Sequence, residues 1–144
     1  NMLLGRTDVT GEGVEILLED AKDTANSLNP SDQIIHYDDI QLVINELKNA
    51  GAEAIEVNGQ RLVSTSAITC EGNIIKINGE RVGSPFNIKA IGSQDMLYGA
   101  LTRAGSIIDW IARYGNTATV TKSDNVTIAK YSGTLGYEYL KEDK

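Results

Sequence analysis

The sequence predicts an α+β domain in which helices pack on one face of a mixed β-sheet. A length of 144 residues, with 41% hydrophobic and 23% charged residues, suits one globular domain with a sizeable core. The order of segments gives the class: strand, helix and strand, an inserted hairpin, then strand, two helices and strand. Two such halves in one sheet are typical of the ferredoxin-like, or split βαβ, plan.

The first half is organised around the stretch Asp38–Arg61, which begins with an amphipathic helix. Apolar residues recur at the spacing of one helical face, namely Ile40, Val43, Ile44, Leu47 and Ala50. Asp38 is the predicted N-cap, and Gln41 is placed to complete a capping box. Gly51 can adopt the left-handed conformation that ends a helix, so a helix is predicted from about Asp39 to Ala50.

Two apolar runs flank this helix. Val14–Leu18 is nearly continuously apolar, which is typical of a strand buried on both faces. Ala54–Val57 is a second short strand, and Asn58-Gly59 after it is a strong turn dipeptide. Because one helix connects the two strands, we expect them to be parallel neighbours in one sheet. The glycines of Thr7–Gly13 predict a turn before the first strand.

The second half shows shorter signals of the same kind. The predicted strands are Ser64–Cys70 and Asn73–Ile77, joined by the turn Glu71-Gly72, then Phe86–Ile91, and finally Thr117–Lys122 with Val126–Ile128 as its hairpin partner. Ser93 and Ser106 are the predicted N-caps of two helices, and Gly105 and Gly115 the predicted ends. Residues 1–12 are predicted to be the end of an upstream helix or a linker, and residues 13–130 to form one domain. A mobile loop is predicted within it at Ala21–Asp32. Residues 131–144 are predicted to be a loosely ordered tail.

Charge and cysteine content exclude several functions. A net charge of −7 argues against a nucleic-acid surface, whose mark is a clustered basic face. It also disfavours adsorption to anionic lipid headgroups. Cys70 is the only cysteine of the sequence, which rules out an intrachain disulfide and a thiolate metal cluster.

Acidic residues near the helix form the first candidate site. Asp38, Asp39 and Glu46 could form an oxygen-rich cation site with Asp20. The favoured interpretation is that Asp38 and Asp39 stabilise the positive N-terminal end of the helix. His36 is the sole histidine, so it would have to serve any Ser–His or Cys–His nucleophile, and a packed or solvent-facing role is favoured. We therefore expect no metal and no cofactor.

Two further groups of residues allow both a structural and a binding interpretation. Arg61, beside the turn Asn58-Gly59, could bind a carboxylate or phosphate, or it could pair with Glu46 or Glu53 and stabilise the turn. The structural role is favoured. The aromatic residues Tyr98, Trp110 and Tyr114 lie on the two later helices, where core packing is favoured over an interface.

A family resemblance adds to these residues. The residues Asn45, Glu46, Leu47, Ala50–Ile55 and Val57–Arg61 spell NEL-x-x-AGAEAI-x-VNGQR. This pattern resembles the signature of the bacterial domain of unknown function 881, whose members are often labelled division initiation proteins. Shorter matches follow the same order, including Thr10-Gly11 with Gly13-Val14, Ser66–Ile68, Ser84-Pro85 and Ala90–Gly92. Glu12 departs from the proline that members often have there.

The resemblance implies a context and no catalytic residues. Members typically carry one membrane helix and a coiled coil before this domain, which lies outside the cytoplasmic membrane. The leading hypothesis is therefore a non-enzymatic extracytoplasmic interaction domain linked to cell division or envelope assembly. Expected partners are envelope proteins, with self-association through the upstream coiled coil as an option, and the membrane is contacted only through the upstream helix. The alternative is a small-ligand-binding or sensor domain, or a divergent enzyme, that uses Arg61 and the acids near Asp20 and Asp38. Candidate binding residues are Asn45, Glu46, Asn58, Gly59, Gln60 and Arg61.

Overall fold

The computed structural model describes residues 7–20, 35–63, 68–71 and 74–131. Within them the elements are β1 (Val9–Glu19), α1 (Tyr37–Asn49), β2 (Ala54–Val57), β3 (Gln60–Arg61), β4 (Ile68–Glu71), β5 (Ile74–Ile77), β6 (Glu80–Val82), β7 (Phe86–Ile91), α2 (Gln94–Thr102), α3 (Ile107–Arg113) and β8 (Thr117–Ile128). The upstream helix or linker predicted for residues 1–12 lies outside the described residues at positions 1–6. The predicted loop at Ala21–Asp32 also lies outside them, as does the predicted tail at residues 131–144 apart from Tyr131.

The strand order confirms the α+β class and the split βαβ plan. The larger sheet has the order β3-β2-β7-β1-β8, and the inserted strands form a second sheet with the order β4-β5-β6. β7 pairs antiparallel with both β1 and β2. The two strands flanking α1 therefore run parallel, but the prediction that they are neighbours is wrong. The crossover through α1 leaves a gap one strand wide, which β7 fills, so paired strands are antiparallel throughout the described sheets and neither sheet is mixed.

The main core lies between the helices and one face of the larger sheet. Alternate residues of β1 and β7 point into it, namely Val14, Ile16, Leu18, Phe86, Ile88 and Ala90. The helices contribute Ile40, Val43, Ile44, Leu47, Leu97, Leu101, Ile108 and Ile111. Burial of each aliphatic side chain stabilises the fold by about 1.5–3 kcal/mol, so this cluster dominates the folding energy.

At the two ends of α1, the predicted N-cap is wrong and the predicted role of Gly51 at the C-terminus is confirmed. The N-cap is His36, not Asp38, and its backbone N–H donates to the Asp39 carboxylate at 3.0 Å. The helix begins earlier than predicted because Asp39, rather than Gln41, reaches back to the cap. Gly51 has φ +96° as predicted. Its N–H donates to the Lys48 carbonyl at 3.1 Å, and the Ala52 N–H donates to the Leu47 carbonyl at 2.9 Å, the two bonds of a Schellman motif.

Two predictions about β1 and β8 are wrong for one physical reason. Val9–Gly13 belongs to β1 and is not a turn, so strand residues precede the predicted boundary at residue 13. Thr117–Ile128 is one strand and not a hairpin. β1 and β8 pair with each other from Val9↔Ile128 to Glu19↔Thr117, with a shift in register between Gly11 and Gly13. Long-range pairing satisfies the backbone of both segments and overrides their turn-forming composition.

Most local signals in the second half are confirmed. β7 has the predicted bounds, and the side chains of Ser93 and Ser106 accept hydrogen bonds from the Met96 and Asp109 N–H groups at 3.3 and 3.2 Å. The hairpin of β4 and β5 is confirmed where it is described. No described helix has the length and hydropathy needed to cross a membrane.

Candidate functional site

The sheet face opposite the helices is covered by the bent ends of β1 and β8. Val9, Val126 and Ile128 pack there against Ala54 and Ile91 and form a second, smaller apolar cluster. Ala54 and Ile91 point away from the helices because side chains alternate along a strand. The bulge at Gly11 and Gly13 re-aims the strand pair so that it folds over this face. We call this arrangement, with the Arg61 side chain described below, the clasp.

Gly13 lets the clasp approach the sheet. A Cβ atom on Gly13 would lie 1.8 Å from the Ala90 carbonyl oxygen, far inside contact distance. The neighbouring Gly92 N–H donates to the Glu12 carbonyl at 3.0 Å. Gly13 is therefore needed for close backbone packing, whereas a Cβ on Gly11 would lie 3.2 Å from the Ile91 side chain.

Arg61 closes the clasp. Its side chain is 2% exposed, and Nη1 donates to the Thr7 carbonyl at 2.8 Å and the Ala129 carbonyl at 3.3 Å. Thr7 precedes β1 and Ala129 follows β8, so one guanidinium joins the ends of both strands. Burial lowers the pKa of Arg61, while the charges of Asp8 and Glu56 act in the opposite direction. The geometry favours the predicted structural role.

The partners of Arg61 differ from the predicted ones. Glu46 lies on α1 and pairs with Arg103, with 3.1 Å between its carboxylate and the guanidinium. Arg61 lies opposite Glu56 in the strand pair β2–β3 and so shares the face away from the helices. Glu46 and Glu53 are not the groups that hold the Arg61 Nη1 donor. Backbone carbonyls do that, and they carry no signature in the sequence.

The other motif residues divide between two places. Asn58 has φ +47° and binds the chain where β7 begins: its Nδ2 donates to the Pro85 carbonyl at 3.2 Å, and its Oδ1 accepts from the Asn87 N–H at 2.6 Å. Gly59 completes this turn with φ +84°, and the Gln60 Oε1 accepts from the Asn78 Nδ2 at 3.5 Å. These residues adjoin Arg61. Asn45 and Glu46 lie on α1, apart from them.

Asp20, Asp39 and His36 interact with other groups of the fold rather than with Arg61. Asp20 Oδ1 accepts from the Ile35 N–H at 2.9 Å, and its own N–H donates to the Ser84 hydroxyl at 2.9 Å. His36 Nδ1 lies 4.0 Å from the Asp39 carboxylate at the start of α1. Within the described part of the chain, no group of three or more His, Cys, Asp or Glu side chains could hold a metal ion.

A groove between α1 and α3 carries exposed aromatic and aliphatic side chains. Leu42 is 50% exposed, Trp110 49% and Tyr114 44%. The rings of Trp110 and Tyr114 stack with centroids 6.1 Å apart, and the Arg113 guanidinium lies 5.6 Å from the Trp110 ring centroid. The groove has a volume of about 280 Å³ and is lined by Asp39, Leu42, Ile107, Trp110, Ile111, Tyr114 and Asn116. We call it the aromatic groove.

Core packing was predicted for the aromatics, and for two of them this is wrong. Tyr98 is half-buried against the main core as expected. Trp110 and Tyr114 are exposed because Ile108 and Ile111 already supply the buried face of α3. The signal was present: α3 is apolar on two sides, and Leu42 lies off the apolar stripe of α1.

Comparison with known proteins finds bacterial relatives and a solved structure of similar fold. UPF0749 protein YlxW of Bacillus subtilis is 39% identical over 87% of this chain and 54% of that protein. UPF0749 protein Rv1825 of Mycobacterium tuberculosis is 28% identical over 100% of this chain and 47% of that protein. The crystal structure of an uncharacterized conserved protein from Mycobacterium tuberculosis is similar with a TM-score of 0.78 and 25% identity, covering 96% of this chain and 92% of that one.

The fold and its surfaces define a split βαβ domain with a clasped back face and an aromatic groove between two helices. A family profile described as bacterial protein of unknown function (DUF881) matches residues 1–141. The chain therefore belongs to the DUF881 family, as the motif indicated. It spans about half the length of the curated relatives compared above.

Proposed function

We propose that this chain is a non-enzymatic protein-interaction domain and that the aromatic groove is its contact surface. The observation that carries the proposal is the exposure of Leu42, Trp110 and Tyr114 along one groove. Contiguous exposed apolar side chains mark interaction sites, whereas isolated ones are ordinary. Trp, Tyr and Arg are also the residue types that dominate binding energy at interfaces, and Arg113 lies beside the two aromatics.

The cellular setting is part of the same proposal. The family resemblance supports a domain held outside the cytoplasmic membrane by an upstream helix, with a partner in cell division or envelope assembly. The net charge of −7 supports a surface that does not itself adsorb to anionic lipid.

The alternative of a small-ligand or sensor domain, or a divergent enzyme, receives less support from the geometry. It needs an accessible Arg61, and that side chain is 2% exposed. It also needs the acids near Asp20 and Asp38 to face Arg61. Asp20 instead binds the chain at Ile35, and Arg61 binds Thr7 and Ala129.

Site-specific crosslinking tests the contact surface. A photo-reactive residue is placed at Leu42 in the full-length protein in its own bacterium, and a matched one at Met96, which is 63% exposed on α2. We expect a discrete crosslinked protein from position 42 that disappears when Trp110→Ala is added. Equal crosslinking from both positions, or none from position 42, would remove the groove as the contact surface.

Cys70 tests the location. It is exposed and is the only cysteine of this chain. A membrane-impermeant maleimide should label it in intact cells, and Cys70→Ser should remove that label. Labelling that requires cell lysis would contradict an extracytoplasmic position.

A further inference from the structure

Resting on the proposed function, we infer that the occupant of the aromatic groove is a basic, apolar segment of another protein. An apolar occupant is expected because apolar side chains line the groove. Leu42 on α1 and Trp110 and Tyr114 on α3 line the groove, and Ile107 and Ile111 add to its apolar lining. An occupant that buries half-exposed Trp, Tyr and Leu side chains must itself present aliphatic or aromatic groups.

The basic part comes from the charges of the described residues around the groove. Asp39 lines it with a side chain that is 29% exposed, and the adjacent Asp38 is exposed. The nearby cation is already engaged, because the Arg113 guanidinium lies 3.0 Å from the Asp109 carboxylate and also covers Trp110. A lysine or arginine on the occupant would complement Asp38 and Asp39.

The same charges argue against two other occupants. A two-fold contact with a second copy would bring the same groove together twice, Asp39 included, so like charges would face each other. An anionic membrane surface would meet a chain of net charge −7. A basic segment is the occupant whose charge the groove complements.

The chain supplies its own reporter. It contains one tryptophan, Trp110, which is half-exposed on the groove. Its fluorescence emission should shift to shorter wavelength when an occupant buries the ring. The probes are a short amphipathic peptide of leucine and lysine and its counterpart with glutamate in place of lysine. We expect a saturable shift with the lysine peptide that weakens as salt is added, and at least about tenfold weaker binding of the glutamate peptide.

Matched variants separate groove binding from general attraction to an acidic protein. Leu42→Ala keeps the reporter and should weaken binding of the lysine peptide about tenfold, whereas Met96→Ala should leave it unchanged. Asp39→Asn keeps an acceptor oxygen for the helix cap and should weaken binding about threefold to tenfold. Its control is Glu15→Gln, which removes an exposed carboxylate on the opposite face of the sheet and should have no effect.

Each contrary result has one meaning. Equal binding of both peptides, or no effect of Leu42→Ala, overturns the inference about the occupant. An emission shift that depends only on protein concentration identifies a second copy as the occupant and also overturns it. No peptide shift, combined with a crosslinked protein from position 42, overturns the basic occupant and leaves the proposed function standing. Absence of both overturns the two together.

Discussion

The clasp and the aromatic groove place their residue types in opposite ways. In the clasp, a cation is buried: Arg61 is 2% exposed. In the groove, the largest aromatic side chain of the chain is half in water: Trp110 is 49% exposed. Arginine is almost never fully buried unless it is paired, and tryptophan is usually well buried. Residue type alone would have assigned the two roles the other way round.

The difference lies in the partners that the fold offers to each of the two side chains. Arg61 lies where one carbonyl before β1 and one carbonyl after β8 both accept from its guanidinium. These charge-assisted bonds offset part of the cost of removing the charge from water. Trp110 lies on the exposed side of α3, because Ile108 and Ile111 occupy the side that packs into the core. An internal partner makes the first position structural, whereas the second is available to the external partner that we propose.

The largest effect should come from adding one methyl group under the clasp. Gly13→Ala places a Cβ 1.8 Å from the Ala90 carbonyl oxygen, and two backbones would have to separate. We expect a loss of about 4 kcal/mol or more in the free energy of unfolding. Gly83→Ala is the matched control, because its Cβ meets nothing within 4 Å. Denaturant melts that show equal losses for the two variants would contradict the close approach.

Arg61→Ala should rank second. It removes the donor to the Thr7 and Ala129 carbonyls and leaves a cavity where a buried side chain was, so we expect a loss of about 3 kcal/mol. The exposed Arg81 on β6 gives the control, and Arg81→Ala should cost under about 0.5 kcal/mol. Urea melts measure both. A loss below about 0.5 kcal/mol for Arg61→Ala would end the structural interpretation and return Arg61 to the candidate binding residues.

Gly51→Ala should cost about 1 kcal/mol, from the penalty on a residue with a Cβ in the left-handed region. A Cβ at this position meets nothing within 4 Å, so the cost is conformational and not steric contact with a neighbour. Gly51→Asn should lose less, because asparagine tolerates this region better. An unchanged midpoint for the alanine variant would mean that α1 ends without the help of a left-handed residue.

The sequence predicts local structure well where one residue satisfies a local need. Gly51 and the caps Ser93 and Ser106 act on backbone groups within a few positions of themselves. The turn Asn58-Gly59 places two adjacent residues at positive φ, which is also a local property. The helix α1 and the strand β7 follow from periodicity, which is also local. From these elements and their order the split βαβ plan could be reached.

What could not be predicted depends on pairing between distant segments. The length of β8 follows from its register with β1, more than a hundred positions away along the chain at Val9↔Ile128. The acceptors for Arg61 are main-chain carbonyls, which every residue type offers equally. The exposure of Trp110 has a local signal, because α3 is apolar on two sides and only one side can face the core. The groove itself has none, because it depends on how α1 and α3 meet.

The smallest effect on stability should come from the groove, and it completes the contrast with the clasp. Leu42 and Leu47 lie on the same helix, one 50% exposed and the other fully buried. Leu42→Ala removes a side chain that is already half in water and introduces the best helix former, so we expect a loss under about 0.5 kcal/mol. Leu47→Ala opens a cavity in the main core and should cost about 3 kcal/mol. Thermal or urea melts of the two variants decide the matter. If Leu42→Ala lowers the free energy of unfolding as much as Leu47→Ala does, the groove side chains stabilise the fold. Their exposure would then not indicate a binding surface.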